Sequence, residues 1–180
     1  MVGFYISIGK QGSGKTAFIT KLCFDNANNR KIFSNYTLYG LEYQPITFDT
    51  SNDPDKISIL DMLDDNPNFF NNSIMLLDEI HIYLDSLDFM RKNNRRLQVF
   101  FSQLRKRNII LLATTQYIMN VDIRIRRQCM NVFEMEHVYK DLFTVTTHEI
   151  DGYFTREISS YNLVLSEQYS RYDTNELIID

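Results

Sequence analysis

Residues 9–16 read GKQGSGKT, and this short stretch carries the strongest signal in the sequence. It fits the pattern G-x-x-x-x-G-K-[ST], which forms a loop around phosphate groups when a strand precedes it and a helix follows. Both conditions are met, because Val2–Ile8 is an apolar, β-branched run and Ala17–Leu22 favours a helix. We therefore predict a phosphate-binding loop between the first strand and the first helix.

The residue types of this loop suit a nucleoside triphosphate. Glycines let the backbone direct its N–H groups at phosphate oxygens, and the following helix adds the positive end of its dipole. Lys15 would reach the β- and γ-phosphates, and the hydroxyl of Thr16 would ligate Mg²⁺. The predicted phosphate-binding residues are Gly9, Lys10, Gln11, Gly12, Ser13, Gly14, Lys15 and Thr16.

A second chemical element follows about sixty residues later. Ser73–Leu77 is a continuous apolar run, typical of a strand covered on both faces, and two acids, Asp78 and Glu79, come directly after it. In a P-loop protein an acid in this position reaches the Mg²⁺ that is bound by Thr16. We assign that role to Asp78, and we expect Glu79 to orient or deprotonate the attacking water.

A third strand is predicted at Asn108–Gln116, after an amphipathic helix at Asn93–Arg107. Ligands bind at the carboxyl ends of parallel strands, so the end of this strand should lie near the phosphate loop. Gln116 is therefore a candidate sensor of the γ-phosphate.

The net charge of −4 conceals an uneven distribution. Residues Arg91–Arg127 include ten Lys and Arg residues and one acid, Asp122, so that this window is +9 and the remainder is −13. A phosphate backbone meets a local patch and not the average charge, so nucleic acid is allowed as a partner. A solvated basic helix face would produce the same composition.

Length and composition favour one domain, residues 1–180, with a core at 1–128 and a C-terminal extension of β-hairpins and a helix at 129–180. We find no apolar run long enough for a membrane span and no basic region before the first apolar stretch, so we expect a cytoplasmic protein. Cys23 and Cys129 have no redox or metal spacing and are predicted to be buried.

The remaining elements are weaker predictions. Further strands are predicted at Lys31–Tyr36, Met130–Val138, Leu142–Ile150 and Tyr153–Ser159, with hairpin turns at Tyr139–Asp141 and Asp151–Gly152. A loop is predicted at Tyr39–Pro45. Helices are predicted within Asp49–Asp65, from His81 to Phe89 and over Tyr161–Tyr172. The chain is predicted to end in an acidic tail at Thr174–Asp180.

The order of these features resembles a known superfamily. The phosphate loop, the strand ending at Asp78, the basic helix ending in Leu104–Arg107 and the strand ending in Gln116 are similar to those of FtsK/HerA DNA-pumping ATPases. The small viral members, which are genome-packaging ATPases and the Zot-like assembly proteins of filamentous phages, are the most similar, and Ser34-Asn35 belongs to that likeness. The resemblance covers roughly residues 1–128.

This resemblance implies an α/β fold of the RecA-like P-loop NTPase type, with a mainly parallel central sheet flanked by helices. The C-terminal β-hairpins are expected to extend that sheet. The implied cofactors are ATP and Mg²⁺. The implied assembly is a homo-oligomeric ring, a pentamer or a hexamer, in which one subunit supplies an arginine to the γ-phosphate bound by its neighbour. Arg126 and Arg124 are the first candidates for that arginine, followed by Arg105 and Arg107.

The function that follows is an ATP-driven DNA translocase that packages a viral genome into a preformed capsid, in the host cytoplasm or in association with the virion. The region Arg91–Arg107 would contact DNA backbone phosphates, and a capsid or portal-vertex protein would be a further partner. Zot-like proteins normally carry a membrane segment after the ATPase core, and we find none here, which favours packaging over extrusion.

Three other functions remain open or are disfavoured. A Zot-like ATPase for phage assembly and extrusion is one alternative, and a P-loop kinase acting on a small molecule is another. The kinase fits less well, because Glu79 next to Asp78 suggests water as the nucleophile. A GTPase is disfavoured since no Asn-Lys-x-Asp sequence is present.

Overall fold

A computed structural model describes residues 1–48, 55–84, 92–151 and 154–174. The strands are β1 Gly3–Ile8, β2 Lys31–Ser34, β3 Gln44–Thr47, β4 Ile57–Ser58, β5 Ser73–Leu77, β6 Ile110–Thr115, β7 Cys129–Tyr139, β8 Leu142–Asp151 and β9 Phe154–Val164. The helices are α1 Lys15–Asn26, α2 Ile59–Asp65, α3 Lys92–Ser102 and α4 Ile123–Arg126, and single 3₁₀ turns lie at Ile80–Ile82, Ile118–Asn120 and Ser166–Ser170.

Within the described residues, the nine strands form one sheet in the order β4-β3-β2-β5-β6-β1-β7-β8-β9. All pairs from β4 to β7 are parallel, and β7-β8 and β8-β9 are antiparallel. The prediction of a mainly parallel α/β sheet extended by C-terminal hairpins is therefore confirmed. Strand β7 pairs directly with β1, with Ile8 opposite Glu134, so the hairpins continue the sheet from beside the phosphate loop.

The two faces of the sheet are covered by different helices. Alternation along β1 places Phe4 and Ile6 in the larger core with α3, whereas Tyr5 packs in a second core with Ile19 and Cys23 of α1. Strands β5 and β6 are buried throughout, which explains their continuous apolar sequences. Cys23 and Cys129 are free and buried as predicted, and burial raises the pKa of each thiol to about 12.

The outer face of helix α1 is covered by residues near the end of the described chain. The segment that we call the C-terminal strap, residues 165–174, leaves β9 and crosses α1 to reach the end of β2. Leu165 packs with Ala17 and Phe18 of α1, and Tyr172 forms a bridge to Leu38.

The prediction of a final helix over Tyr161–Tyr172 is wrong. Strand β9 continues through Val164, because β8 is long enough to pair with it, Phe143 opposite Leu163 and Leu142 opposite Val164. Only Ser166–Ser170 is helical, as one 3₁₀ turn. Helix α3 ends at Ser102 and not at Arg107, and turns connect it to β6.

The region between β2 and β5 also differs from the sequence prediction. The predicted loop Tyr39–Pro45 gives way to β3 at Gln44, and Ile57 lies in β4, not in a helix. Helix α2 begins only at Ile59, where the hydroxyl of Ser58 accepts a hydrogen bond from Asp61 N at 3.2 Å and caps the helix.

Several predictions fall partly outside the described residues. They are the first part of the helix within Asp49–Asp65, the stretch from His81 to Phe89 beyond residue 84, Arg91, the turn at Gly152 with Tyr153, and the tail beyond residue 174. In the part of the chain that is described, no helix is both long and apolar enough to cross a membrane.

Candidate nucleotide-binding site

The predicted phosphate loop lies at the carboxyl end of β1, between the ends of β6 and β7. Gly9 N donates to Gln116 O at 3.3 Å, Ser13 N donates to Lys10 O at 3.1 Å, and Phe18 N closes the first turn of α1 on Gly14 O at 2.9 Å. The hydroxyl of Ser13 is buried, and it has no hydrogen-bond partner within the described structure. A buried donor without a partner inside this loop fits a site that binds an anion.

Gly14 shows why the loop requires glycine at this position. Its φ of 85° lies in the left-handed region, and it precedes the first residue of α1. A Cβ on Gly14 would lie 2.9 Å from the ring of Phe143, which belongs to β8. The C-terminal hairpin is thus packed against the phosphate loop, a contact that no local sequence pattern indicates.

Lys15 is buried, and its side chain turns back over the loop. Its Nζ donates to Lys10 O at 3.0 Å. Burial lowers the pKa of Lys15, and the nearby carboxylates Glu79 and Asp78 partly offset this effect. A phosphate oxygen would offer the ammonium group a stronger acceptor than a neutral carbonyl group.

Thr16 and Asp78, which are 62 positions apart, meet in the folded chain. Thr16 Oγ1 lies 3.1 Å from Asp78 Oδ1 and 3.2 Å from Oδ2, and donates to the carboxylate. The hydroxyl of Thr114 on β6 donates to the same carboxylate. Burial raises the pKa of Asp78, while the bonds from Thr114 and Thr16 and the charge of Lys15 act in the opposite direction.

These groups fit Mg²⁺ in the way that P-loop sites bind it. Mg²⁺ uses one or two protein oxygens and completes its shell with phosphate oxygens and water. Among the described residues, no cluster of three or more His, Cys, Asp or Glu side chains is present that could hold a metal by itself. The hydroxyl of Thr16 and the carboxylate of Asp78 are adjacent and of the right chemical type.

Asn35 holds Asp78 in place, and the sequence did not reveal this role. Its side-chain Oδ1 accepts from Asp78 N at 2.8 Å, and its Nδ2 donates to Asp78 O at 3.0 Å. The amide therefore fixes the main chain on both sides of the Asp78 side chain. The available signals were a polar residue directly after a buried strand and the place of Ser34-Asn35 in the family resemblance, neither of which indicates a contact with Asp78.

We expect Asn35→Ala to weaken the use of Mg²⁺ and to leave the fold intact. The substitution removes two hydrogen bonds to the Asp78 backbone, each worth about 1 kcal/mol, so the carboxylate would lose its fixed direction. The half-saturating Mg²⁺ concentration for ATP turnover should rise about tenfold. Asn131→Ala, on β7, is the control, because Asn131 makes no side-chain hydrogen bond to Asp78 among the described residues. Unchanged Mg²⁺ dependence in the Asn35 variant would show that Asp78 needs no such support.

Glu79 occupies a strained position beside the loop. Its φ of 50° is unusual for a residue other than glycine, and its N–H donates to the hydroxyl of Thr114 at 2.9 Å. Carboxylate Oε2 lies 3.2 Å from Nδ1 of His81, without an aligned hydrogen bond. Burial raises the pKa of Glu79, the charge of Asp78 raises it further, and Lys15 and His81 lower it. A carboxylate with a raised pKa is suited to accepting a proton.

The loop and the two acids face one cleft of about 360 Å³. The residues that line it are Gln11, Gly12, Gly14, Lys15, Thr16, Tyr36, Asp78, Glu79, Phe143, Tyr169, Tyr172, Asp173 and Thr174. The structure therefore brings most of the predicted phosphate residues together with Asp78 and Glu79, whereas Gly9, Lys10 and Ser13 line a second cleft on the other side of the loop. It adds aromatic residues of β8 and the C-terminal strap, which the sequence did not suggest.

The other predicted site residues lie elsewhere. Gln116 is exposed and lines a second cleft of about 690 Å³ on the far side of the loop. Arg124 pairs with Asp122 at 3.1 Å, and Arg126 contacts the sulfur of Met119. Neither arginine lines the 360 Å³ cleft of its own chain.

The basic residues 105–107 lie at the opposite end of the parallel strands from the phosphate loop, because residues 103–109 lead into the start of β6. Arg105 and Lys106 are exposed there. Arg107 is engaged by Gln103 and by the carbonyl group of Pro67, and it lies over the ring of Phe100.

Solved structures share this architecture at low sequence identity. The N-terminal domain of zonular occludens toxin from Neisseria meningitidis is 19% identical over 96% of this chain and 100% of that chain, with a TM-score of 0.71. The DNA-packaging ATPase B204 from Sulfolobus turreted icosahedral virus is 12% identical over 87% of this chain and 97% of that chain, with a TM-score of 0.57. The genome packaging NTPase B204 from Sulfolobus turreted icosahedral virus 2, in complex with ATP-gammaS, is 9% identical over the same shares, with a TM-score of 0.56. No protein with a curated description matches this chain in sequence.

The parallel sheet and the loop after its first strand define a P-loop NTPase fold of the RecA-like type. Within that class, the model of the family described as zonular occludens toxin (Zot) matches residues 3–172, and this chain belongs to that family. The resemblance to the Zot-like branch that the sequence motifs indicated is thereby confirmed.

Proposed function

We propose that this chain is a Mg²⁺-dependent ATPase. The observation that carries the proposal is the meeting of Thr16, Asp78 and Lys15 at one cleft, with Glu79 beside them. A glycine loop alone would account for phosphate binding. The paired acids that follow β5, two strands away from β1, add what hydrolysis requires, a metal ligand and an acceptor for the proton of water.

Each side chain then has a separate task in turnover. The amides of residues 12–16 and the ammonium group of Lys15 hold the phosphate oxygens, and Lys15 exchanges its bond to Lys10 O for one to phosphate. Mg²⁺, when bound beside Thr16 and Asp78, would neutralise phosphate charge. Glu79 orients water for attack on the γ-phosphorus and accepts its proton, because its raised pKa makes it a better base than an ordinary glutamate.

We further propose that hydrolysis moves DNA. The support is the exposed basic group at Arg105 and Lys106 and the local excess of positive charge along residues 91–127. The B204 protein, whose fold is similar, is a DNA-packaging ATPase. In this proposal the chain works as a ring, in which Arg126 or Arg124 of one copy reaches the γ-phosphate held by the next copy. Gln116, which follows β6 beside the loop, would report loss of that phosphate.

Two versions of DNA movement remain, and the family favours one of them. The lack of a predicted membrane segment favours packaging into a capsid. The Neisseria relative of the same extent is itself an N-terminal domain, so this lack does not separate the two versions. Membership in the Zot family favours the alternative that the resemblance implied, a Zot-like ATPase for phage assembly and extrusion.

ATP turnover should rise when DNA is added, and this is the test of the proposal. The stimulation should weaken between 50 and 200 mM salt, since contacts to phosphates release counterions. Arg105→Ala combined with Lys106→Ala should remove most of the stimulation and leave the basal rate unchanged. Lys140→Ala combined with Arg156→Ala removes the same two residue types from the C-terminal hairpins and is the matched control. A small-molecule kinase would be indifferent to DNA, and indifference here would refute the translocase.

A further inference from the structure

The cleft has two chemically different ends. Asp78 and Glu79 follow β5 at one end, and Phe143 of β8 with Tyr169 of the C-terminal strap forms the other. The phosphate loop follows β1, which lies between β5 and β8 in the sheet. A triphosphate whose terminal phosphate faces the two acids can therefore extend its nucleoside past the loop toward the aromatic end.

The aromatic end is held in place by main-chain bonds at both ends of the strap. At its start, Leu165 N donates to Asp141 O at 3.0 Å. At its end, Tyr39 N donates to Arg171 O at 2.8 Å, and Asp173 N donates to Thr37 O at 3.3 Å. The strap is thus tied to the hairpin and to the loop that follows β2, and it spans the helix that starts at the phosphate loop.

The two aromatic residues differ in exposure. Phe143 is buried, and its ring lies against Gly14, where it forms a floor next to the loop. Tyr169 lines the cleft and is 38% exposed, so part of this residue is accessible to a ligand. The ring of the nearby Tyr172 already packs edge-on against the ring of Tyr36, with 6.2 Å between the ring centroids. Tyr172 is therefore a weaker candidate for stacking on a ligand.

We propose that Tyr169 is the nucleobase-binding residue of this site, and that it stacks on the base of a nucleoside triphosphate whose phosphates occupy the glycine loop. The proposal rests on the proposed function, because it assumes that a triphosphate binds in that loop. Stacking requires only an aromatic face, and every base has one, so Tyr169 contributes affinity without choosing between bases. The strap thereby becomes part of the binding site, although it lies more than 150 residues after the loop.

The test compares a complete nucleotide with its phosphate portion alone. Affinities of Mg²⁺-ATPγS and Mg²⁺-tripolyphosphate are measured by calorimetry for the unaltered chain, Tyr169→Ala, Tyr169→Phe and Tyr139→Ala. Tyr139 is the control, because it is an exposed tyrosine at the tip of the β7-β8 hairpin and does not line the cleft. Tyr169→Ala should weaken ATPγS about tenfold and leave tripolyphosphate unchanged, whereas Tyr169→Phe and Tyr139→Ala should match the unaltered chain for both.

The other possible results overturn either the role of Tyr169 alone or the proposed function as well. Equal weakening of both ligands by Tyr169→Ala would mean that the residue shapes the loop and does not bind the base, which overturns the inference alone. Unchanged ATPγS affinity in Tyr169→Ala would also overturn it alone. If the unaltered chain binds neither ligand, the proposed function fails, and the inference falls with it.

Discussion

Glu79→Gln should bind ATP as well as the unaltered chain and hydrolyse it at least a hundredfold more slowly. The glutamine keeps the size and polarity of the side chain but cannot accept the proton of the attacking water. General-base catalysis contributes roughly 10² to 10⁴ in rate, which sets the size of the expected loss. Steady-state phosphate release and equilibrium binding of ATPγS would separate the two effects.

A matched control exists for this substitution. Glu149 on β8 is also paired, with its carboxylate 2.8 Å from the guanidinium of Arg156, but it is exposed and lines neither of the two clefts at the loop. Glu149→Gln should turn over ATP normally. If Glu79→Gln hydrolyses ATP at the rate of Glu149→Gln, the assignment of Glu79 as the base is wrong.

The pH dependence of ATP turnover is a second test of Glu79 as the general base. Burial and the charge of Asp78 raise the pKa of Glu79, so its carboxylate becomes protonated at a higher pH than an ordinary glutamate does. Activity needs the deprotonated form. The rate should therefore fall on acidification. In the residual activity of Glu79→Gln, the acidic limb should lose the contribution of Glu79 and keep only that of Asp78, whose pKa burial also raises.

Lys15→Ala should lose both ATP binding and turnover, and this is the second large effect. A charge-assisted hydrogen bond to phosphate contributes about 1.5–3 kcal/mol, so affinity for ATPγS should fall by roughly 10- to 100-fold. Turnover should fall further, because the same ammonium group stabilises the charge that develops at the γ-phosphate. Calorimetric titration with ATPγS and Mg²⁺ measures the first effect.

Lys21→Ala is the control for Lys15→Ala, because Lys21 lies on the same helix, is partly exposed and pairs with Asp25.

Lys15→Ala should also fold normally. Burial lowers the pKa of Lys15, so the folded chain holds this ammonium group at a cost, and its removal should leave the melting temperature near that of the unaltered chain. Normal ATPγS affinity in a folded Lys15→Ala chain would rule out the loop as the phosphate site.

The sequence was informative where the chemistry is local. The loop at residues 9–16 carries its own signal, because glycine spacing, lysine and threonine are all adjacent in the chain. Asp78 could be paired with Thr16 because ligands of parallel sheets converge at the carboxyl ends of strands, and the hydrogen bond between the two residues agrees with that expectation.

Thr114 and Asn35 were missed because their roles depend on strand register. Leu77 lies opposite Ala113, so the next position along the two strands brings Asp78 beside Thr114. No periodicity in the sequence gives the register between strands that are more than thirty residues apart. Gln116 was chosen because it ends the apolar run, whereas the hydroxyl that contacts Asp78 lies two residues earlier.

The C-terminal part was the least predictable for a related reason. Tyr161–Val164 has no strong helix or strand signal of its own, and pairing with β8 determines its structure. The C-terminal part places Phe143 on Gly14 and Tyr169 at the cleft. Both placements depend on packing between segments that are distant in the sequence.

The most direct measurement of the central claim is a structure of this chain with Mg²⁺ and a non-hydrolysable ATP analogue. We expect the phosphates to be surrounded by the amides of residues 12–16, with Mg²⁺ about 2.1 Å from the hydroxyl of Thr16 and bound to Asp78 directly or through one water. Phosphates bound away from these amides, or an Asp78 carboxylate beyond the reach of the metal and its waters, would contradict the account.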